Sequence, residues 1–216
     1  MAKRRPSSGR WLQEHHDDPY VLQARKEGYR SRAAYKLLEI DKELQTKHGK
    51  KAALLRPGMT VVDLGAAPGG WSQVAAKLIG KTGRVVAVDL LPIEPIVGAV
   101  VVQGDFLEEA VLKEVTKALE PQSMADLVLS DMAPNMSGFK SADMARGELL
   151  AEAAYAFIAQ VLEPGGAAVI KLFQGSEFHE MVKHARTMFA KVKVVKPKAS
   201  RARSAEHYLI GLGYKN

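Results

Sequence analysis

Short apolar runs alternate along most of the chain with longer segments in which apolar residues recur at helical spacing. The runs are typical of buried strands and cover residues 61–64, 84–90, 97–102, 126–130 and 167–172. The helical spacing predicts helices over residues 71–79, 107–119 and 146–162, the last of them closed by Pro164-Gly-Gly166. Strands that alternate with helices favour a mostly parallel sheet with helices on both faces. The pattern therefore predicts a doubly wound α/β fold.

Two further strands are expected near the carboxyl terminus, at residues 192–195 and 207–212, after a helix at 177–189. The connection between these strands contains Pro197 and shows no helical pattern. It is too short for the helical crossover that parallel strands need, so the two strands should pair antiparallel. The sheet then has seven strands. An amphipathic helix at 31–40, with Ser31 as its start signal, precedes the sheet.

The first strand leads into a glycine-rich loop with the sequence Asp63-Leu-Gly-Ala-Ala-Pro-Gly-Gly-Trp71. Gly65, Gly69 and Gly70 let the backbone turn sharply and approach a ligand closely. A strand, a glycine loop and a helix form the nucleotide-binding opening of doubly wound sheets. Asp89 lies about twenty residues beyond the loop, where a carboxylate accepts hydrogen bonds from ribose hydroxyls.

The loop departs from the dinucleotide-binding pattern Gly-x-Gly-x-x-Gly. Ala67 replaces the second glycine, which allows backbone amides to reach a pyrophosphate, and Pro68 follows it. Asp63 is a poor neighbour for phosphates but a good one for an ammonium or a sulfonium. S-adenosylmethionine (SAM) combines an adenosine, a positive sulfur and an amino-acid end, so we expect it as the cofactor. A glycine-rich turn without any ligand is the less favoured alternative.

Composition limits the remaining possibilities. The 216 residues contain no linker, repeat or low-complexity tract, so residues 11–216 are expected to form one domain after a disordered basic segment at 1–10. The absence of cysteine excludes disulfides and thiolate metal sites. The adjacent His15, His16, Asp17 and Asp18 rarely converge on one ion, so no metal is expected. No signal peptide or membrane-length apolar run is present, which favours a cytoplasmic protein.

Charge is segregated along the chain. Residues 1–56 carry 14 Lys and Arg against 7 Asp and Glu, and residues 183–216 carry 9 against 1. The middle, 57–182, is acidic, with 8 against 16. If the two ends meet in space, they form a basic surface beside the ligand pocket, and nucleic acid is the natural partner of such a surface.

Two charged residues end predicted strands near the glycine loop. Asp131 follows the strand at 126–130, and Lys171 lies in the otherwise apolar strand at 167–172. A lysine in a buried strand is costly unless it is paired or close to neutral. An edge position with an exposed amine is the structural alternative. The proximity of an acid and a lysine to the expected cofactor pocket favours catalysis.

Four motifs resemble the FtsJ/RrmJ family of SAM-dependent ribose 2′-O-methyltransferases. They are the glycine loop ending at Trp71, Ser-Asp-Met-Ala-Pro-Asn-Met-Ser-Gly138, Lys-Leu-Phe-Gln-Gly175 and Ser-Arg-Ala-Arg-Ser-Ala-Glu-His-Tyr208. The resemblance covers almost the whole chain. It implies a Rossmann-like SAM-dependent methyltransferase fold and a catalytic tetrad of Lys36, Asp131, Lys171 and Glu206. It also implies cofactor contacts at Gly69, Trp71, Asp89, Asp105 and Asp131.

The same resemblance, strongest to bacterial members, implies the substrate and the partner. We expect methylation of a uridine ribose in large-subunit (23S) ribosomal RNA, on the assembled large subunit, by a monomeric enzyme. Lys171 would act as proton acceptor or polarising group for the 2′-hydroxyl, with Lys36 as its cationic neighbour. Asp131 and Glu206 would orient the two amines.

Three other functions share parts of this pattern. An amino-methyltransferase acting on adenine or cytosine usually has Asn/Asp-Pro-Pro followed by an aromatic residue, which Asp131-Met-Ala-Pro134 lacks. Transfer RNA or an mRNA cap could replace ribosomal RNA as the substrate. A catalytically inactive RNA-binding factor for ribosome assembly would keep the fold, but its tetrad need not be intact.

Overall fold

The computed structural model describes residues 18–49, 53–134 and 137–215. Within these ranges the helices are α1 (Pro19–Glu27), α2 (Ala33–His48), α3 (Gly70–Ile79), α4 (Glu109–Leu119), α5 (Lys140–Val161) and α6 (Phe178–Met188). The strands are β1 (Thr60–Leu64), β2 (Arg84–Asp89), β3 (Ala99–Gln103), β4 (Ala125–Ser130), β5 (Leu162–Phe173), β6 (Phe189–Val195) and β7 (Glu206–Tyr214). The segment 1–10, expected to be disordered, and residues 15–17 lie outside the described residues.

The strands form one seven-stranded sheet in the order β3-β2-β1-β4-β5-β7-β6. Strands β1 to β5 pair in parallel, whereas β7 pairs antiparallel with both β5 and β6. The predicted α/β class, the seven strands and the antiparallel carboxyl-terminal strand are confirmed. The position of β7 was not predicted, because the sequence indicated only that it pairs with β6.

Each face of the sheet is covered by its own helices, as predicted. Successive strand residues point to opposite faces. One core cluster therefore joins Val62 of β1 to Val115 of α4 and to residues of α5 and α6. A second cluster joins Val61 to Leu37 of α2 and Val74 of α3. Full burial of a valine or leucine contributes about 1.5–3 kcal/mol, so the sheet depends on both helical layers for its stability.

The helix predicted over 146–162 has different bounds. It begins at Lys140, and Pro164-Gly-Gly166 lies inside β5 instead of closing the helix. Leu162 already pairs with Ala125 of β4, and the register then shifts before Leu127 pairs with Ala167. The two glycines therefore occupy an irregular part of a strand, where local sequence signals favour a turn.

Smaller differences occur at several other elements. The strand predicted from residue 97 begins at Ala99, because Val97 and Gly98 form a turn in which Gly98 has a φ of 83°. The helix predicted over 31–40 begins at Ala33 and continues to His48, and its N-cap residue Arg32 makes no capping hydrogen bond. Helix α1 was not predicted. Its signals are an N-cap at Asp18, whose carboxylate accepts from Tyr20 N at 3.0 Å, and Pro19 in its first turn.

The part of the chain that the structure describes contains neither a metal-binding group of side chains nor a membrane-spanning helix. No group of three or more His, Cys, Asp or Glu side chains there is arranged to hold a metal ion. Among the same residues, no helix has the length and apolar character needed to cross a membrane.

Candidate functional site

Asp131 and Lys171 meet at the carboxyl ends of two adjacent parallel strands. Because Ser130 of β4 pairs with Ile170 of β5, the following residues of the two strands lie side by side. Lys171 Nζ is 2.7 Å from Asp131 Oδ1 and donates a second hydrogen bond of 2.7 Å to the Asp131 carbonyl oxygen. Both contacts hold the amine at the edge of the sheet next to the glycine loop.

Strand β7 brings Glu206 and Tyr208 to the same place. It runs antiparallel to β5, so its first residues lie beside the last residues of β5, with Tyr208 opposite Lys171 and Glu206 opposite Phe173. Residues two apart on a strand share a face. Tyr208 donates its hydroxyl to Asp131 Oδ1 at 2.6 Å.

Lys36 of α2 completes the cluster from outside the sheet. Its Nζ lies 3.0 Å from Glu206 Oε1, 2.9 Å from the Tyr208 hydroxyl and 3.7 Å from Asp131 Oδ1. The structure therefore brings together all four residues of the predicted tetrad, Lys36, Asp131, Lys171 and Glu206, which we call the four-residue cluster. They derive from four segments that are far apart in the sequence.

The charges of the cluster compensate one another in a buried position. Lys36 and Lys171 are each only 8% exposed, where an unpaired ammonium is costly. Burial works to raise the pKa of Asp131, but Lys171 and Lys36 outweigh it and hold that pKa below its ordinary value. Asp131 is therefore a carboxylate, and in the cluster two lysines face two acids.

Tyr208 is a site residue that the sequence analysis missed. Its hydroxyl accepts from Lys36 and donates to Asp131, and the Lys36 amine also lies 5.5 Å from the centre of its ring. Burial, followed by the charges of Asp131 and Glu206, raises the pKa of Tyr208 well above its ordinary value, so the phenol keeps its proton. The available signal was its position two residues after Glu206 on a predicted strand.

The glycine loop, residues 65–70, closes tightly over the carboxyl end of β1. Gly65 has a φ of 68°, and a Cβ at this position would overlap Met132. Gly69 has a φ of 110°, and a Cβ there would lie 2.6 Å from Ile96 Cδ1. A Cβ at Gly70 would overlap the Ser31 hydroxyl. All three glycines therefore permit close packing as well as the turn.

Two of the predicted cofactor carboxylates lie at the carboxyl ends of β2 and β3. Asp89 is half-buried; its Oδ2 accepts from Ala67 N of the glycine loop at 2.8 Å, and its Oδ1 accepts from Leu91 N at 2.8 Å. Each carboxylate oxygen keeps a further acceptor position. Asp105, also half-buried, accepts from Leu107 N at 3.0 Å. The structure joins Asp89 to the glycine loop, whereas Asp105 follows the edge strand β3.

Asp63 and Trp71 lie deeper than the other predicted cofactor residues. Asp63 is 1% exposed and accepts a hydrogen bond of 2.6 Å from the Ser72 hydroxyl. Trp71 is 3% exposed; its indole N–H donates to the Ala33 carbonyl at 2.7 Å, and its ring centre lies 5.6 Å from that of Tyr208. Their direct contact with a cofactor stays a prediction, and in the structure both support the walls of the site.

The donor set fits a positively charged cofactor. Burial raises the pKa of Asp63 to about 7, with smaller contributions from the charges of Asp131 and Asp89 and against the opposing hydrogen bond from Ser72. Asp63 of β1, Asp89 of β2 and Asp131, which directly follows β4, therefore act on one small region. An ammonium or a sulfonium beside them would relieve this concentration of negative charge, in agreement with the choice of SAM over a phosphate-bearing nucleotide.

The two basic ends of the chain are in contact. The charge pattern predicted a shared basic surface on this condition. Arg32 forms an ion pair with Asp18 and donates to the Ala199 carbonyl in the loop between β6 and β7. Ala199 N in turn donates to Glu39 of α2 at 3.2 Å, and Lys193 of β6 pairs with Glu43 at 2.7 Å. The loop of residues 196–205, which we call the basic loop, therefore rests on α1 and α2.

Comparisons with known proteins agree in one family. The family model of FtsJ-like methyltransferases matches residues 29–214. The ribosomal RNA large subunit methyltransferase E of Magnetococcus marinus is 59% identical over 215 residues, covering 100% of both chains. The protein of the same name from Alkalilimnicola ehrlichii is 54% identical over 212 residues, covering 98% of this chain and 97% of the other.

A solved structure with a similar fold comes from Plasmodium falciparum, where the protein is described as a ribosomal RNA methyltransferase. Its TM-score is 0.73 at 27% sequence identity, and the match covers 86% of this chain and 98% of that chain. The family match extends from the segment before α2 to the end of β7, so it includes every element that contributes to the four-residue cluster.

Proposed function

The chain belongs to the FtsJ-like methyltransferase family, and we propose that it transfers a methyl group from SAM to the 2′-hydroxyl of a uridine in large-subunit ribosomal RNA. The observation that carries this proposal is the four-residue cluster beside the glycine loop. It places an amine held by Asp131 next to the region where buried acids favour a cationic cofactor. Methyl transfer to a hydroxyl group needs both a cationic methyl donor and a group that takes up the hydroxyl proton.

Lys171 is the residue that handles the proton of the acceptor. When bound, SAM supplies an electrophilic methyl group on a positive sulfur. Two hydrogen bonds from Lys171 Nζ to Asp131 fix the amine. In its neutral form the amine has a lone pair in its third position, and this lone pair accepts the proton of the incoming hydroxyl group. Proton transfer by a positioned side chain contributes roughly 10²- to 10⁴-fold to a rate.

The other members of the four-residue cluster, together with Tyr208, position Lys171. Asp131 holds its amine directly, and the Tyr208 hydroxyl fixes the Asp131 carboxylate from the other side. Glu206 balances the charge of Lys36 at 3.0 Å. Alignment of the hydroxyl with the methyl group is the larger contribution, because orientation of two reactants lowers a barrier by about 7–11 kcal/mol in favourable cases.

The choice of RNA rests on the relatives and on charge. Two bacterial relatives that span the whole chain carry the name ribosomal RNA large subunit methyltransferase. The two basic ends of the chain touch through Arg32 and Lys193, and phosphates are the natural ligands of a surface rich in Lys and Arg. Under this proposal the enzyme works as a cytoplasmic monomer on the assembled large subunit. Transfer RNA, an mRNA cap and an inactive assembly factor become outcomes of the test.

The test uses the full chain with methyl-labelled SAM and four substrates: unmethylated large subunits, their free ribosomal RNA, bulk transfer RNA and a capped messenger RNA. We expect label on a uridine ribose of the large subunit, located by nuclease digestion and nucleoside analysis. Label on a base would reject 2′-O-methylation. Label on transfer RNA alone would reject the substrate, and no label with intact SAM binding would indicate an inactive factor.

Variants then assign the role of Lys171. Lys171→Met is expected to lower kcat by at least about 100-fold while SAM binding, measured by calorimetry, stays within twofold of wild type. Lys113→Gln is the matched control, because Lys113 is an exposed lysine on α4 that pairs with its helix neighbour Glu109 at 2.6 Å. Full activity of Lys171→Met would exclude the proton-acceptor role.

A further inference from the structure

Arg30 connects two loops that border the expected cofactor pocket. It lies between α1 and α2, and its Nη1 donates to the Pro68 carbonyl of the glycine loop at 3.2 Å. The same guanidinium donates to two carbonyls of the loop that follows β2, namely Glu94 at 2.6 Å from Nη1 and Pro95 at 2.7 Å from Nη2. We call this second loop, residues 90–98, the β2 loop.

The backbone around Arg30 is fixed to helix α3 at the same time. Arg30 N donates to Gln73 Oε1 at 2.8 Å, and Gln73 Nε2 donates to the Gly28 carbonyl at 3.1 Å. Gln73 thus binds the chain on both sides of Tyr29, close to the start of the helix that follows the glycine loop. The guanidinium is therefore carried by a backbone segment that is itself held in place.

Packing on the glycine loop shows how close these segments are. A Cβ on Gly69 would lie 3.2 Å from Arg30 Nη1 and 2.6 Å from Ile96 Cδ1 of the β2 loop. The glycine loop, Arg30 and the β2 loop therefore meet at Gly69 without space for one more carbon. Asp89, which accepts from Ala67 N, lies between the two loops in the chain.

We propose that Arg30 is a positioning residue of the cofactor pocket, which holds the glycine loop and the β2 loop at a fixed separation so that SAM binds to a preformed cleft. This inference rests on the proposed function. A guanidinium suits the task, because its donors lie in a rigid planar fork and its charge strengthens each hydrogen bond to a carbonyl. Loops ordered in advance lose less conformational entropy when a ligand binds.

The experiment is titration calorimetry of the full chain with two ligands, SAM and its demethylated product S-adenosylhomocysteine. Loss of loop geometry should weaken both ligands equally, because it does not distinguish a sulfonium from a thioether. We expect Arg30→Ala to raise both Kd values about tenfold, equivalent to the loss of one charge-assisted hydrogen bond. Arg30→Lys keeps the charge without the fork and should fall between Arg30→Ala and wild type.

Arg84→Ala is the matched control. Arg84 Nη1 also donates to a carbonyl, that of Ala118 at 3.1 Å, but at the amino end of β2, away from the two loops. We expect this variant to keep both Kd values within twofold. For Arg30→Ala, kcat at saturating SAM and KM for RNA should stay within threefold of wild type, and a thermal scan without ligand should show that the variant is folded at the temperature of the titrations.

Several outcomes would overturn the inference. Unchanged Kd values for Arg30→Ala would exclude a positioning role. If Arg30→Ala changes the Kd of SAM alone, the charge of Arg30 and not its hold on the two loops affects binding. If only the KM for RNA changes, Arg30 is an RNA contact. If wild type binds neither ligand, the proposed function fails together with the inference, whereas normal wild-type binding with an unaffected Arg30→Ala removes the inference only.

Discussion

The phenolic oxygen of Tyr208 lies 2.6 Å from Asp131 Oδ1, which places a neutral hydroxyl between a buried carboxylate and a second lysine. The Lys36 amine is 2.9 Å from this hydroxyl but 3.7 Å from the carboxylate itself. Tyr208 therefore connects Lys36 to Asp131 by hydrogen bonds, and Asp131 in turn binds Lys171. The cluster is one hydrogen-bonded unit, so its members should not act independently.

Removal of the Tyr208 hydroxyl should weaken both catalysis and stability. Tyr208→Phe should lower kcat about tenfold and the free energy of unfolding by about 1–2 kcal/mol, because Lys36 and Asp131 lose a buried hydrogen-bond partner. SAM affinity should stay within twofold. Steady-state kinetics, calorimetry and urea denaturation measure the three quantities.

Tyr155→Phe is the control for this variant. The Tyr155 hydroxyl is also buried and donates to a carbonyl, that of Met181 at 3.1 Å, in the core between α5 and α6. The same chemical change there should affect stability without affecting kcat. Equal kcat values for the two variants would contradict a role of Tyr208 in the cluster.

Asp63 should make stability depend on pH in an unusual direction. Its pKa rises from 3.8 to about 7 on folding, mainly through burial, so between these values the folded chain retains a proton that the unfolded chain has released. The stabilisation is present at low pH and is lost as the pH rises from about 4 towards 7. Asp63→Asn should remove this dependence, because the new amide does not titrate while its oxygen still accepts from Ser72.

The measurement is urea denaturation of wild type and Asp63→Asn from pH 5 to pH 8. The free energy of unfolding of wild type, relative to that of the variant, should fall by about 2 kcal/mol over this range. Comparison with the variant cancels the titration of all other groups. Parallel pH curves for the two proteins would show that Asp63 has an ordinary pKa in the folded chain.

Gly69 should be sensitive to a single methyl group. Gly69→Ala combines a φ of 110° with a Cβ only 2.6 Å from Ile96 Cδ1, so the Ile96 side chain or the glycine loop must shift. Gly58→Ala has a similar left-handed strain, with a φ of 86°, but its Cβ would meet only Thr82 at 3.7 Å among the described residues. Both variants should lose about 1 kcal/mol or more of stability.

Of these two variants, only Gly69→Ala should weaken cofactor binding. We expect the Kd of SAM to rise at least about tenfold for Gly69→Ala, a change of about 1.4 kcal/mol, and to stay within twofold for Gly58→Ala. Calorimetry of both proteins provides the comparison. A similar Kd for the two variants would mean that the separation of the loops does not determine cofactor affinity.

The basic loop should contribute to RNA affinity through charge. Lys198 is exposed on this loop, which is anchored to α2 by the bonds of Ala199 to Arg32 and Glu39. Lys198→Gln should reduce the slope of log K against log salt by about 0.7–0.9, the value for one lost phosphate contact. Filter binding to large-subunit RNA at several salt concentrations, with Lys113→Gln as the control, measures this slope. If Lys198→Gln and Lys113→Gln have the same slope, Lys198 of the basic loop does not contact RNA.

Much of this protein follows from local pattern. The alternation of apolar runs and helical spacing determined the number of strands, the two covered faces and the glycine loop, because side-chain periodicity is a property of a few neighbouring residues. The carboxyl ends of parallel strands lie on one edge of the sheet, so Asp131 and Lys171 could be placed near the loop. Resemblance to a family was needed for Lys36 and Glu206.

Tertiary structure alone decided how these pieces meet. The insertion of β7 between β5 and β6 sets Tyr208 opposite Lys171, and no local signal distinguishes this order from one in which β6 lies next to β5. Arg30 lies in a short connection without periodicity, and its carbonyl partners belong to two separate loops. Such contacts join distant segments through side-chain geometry, which exists only after the chain has packed.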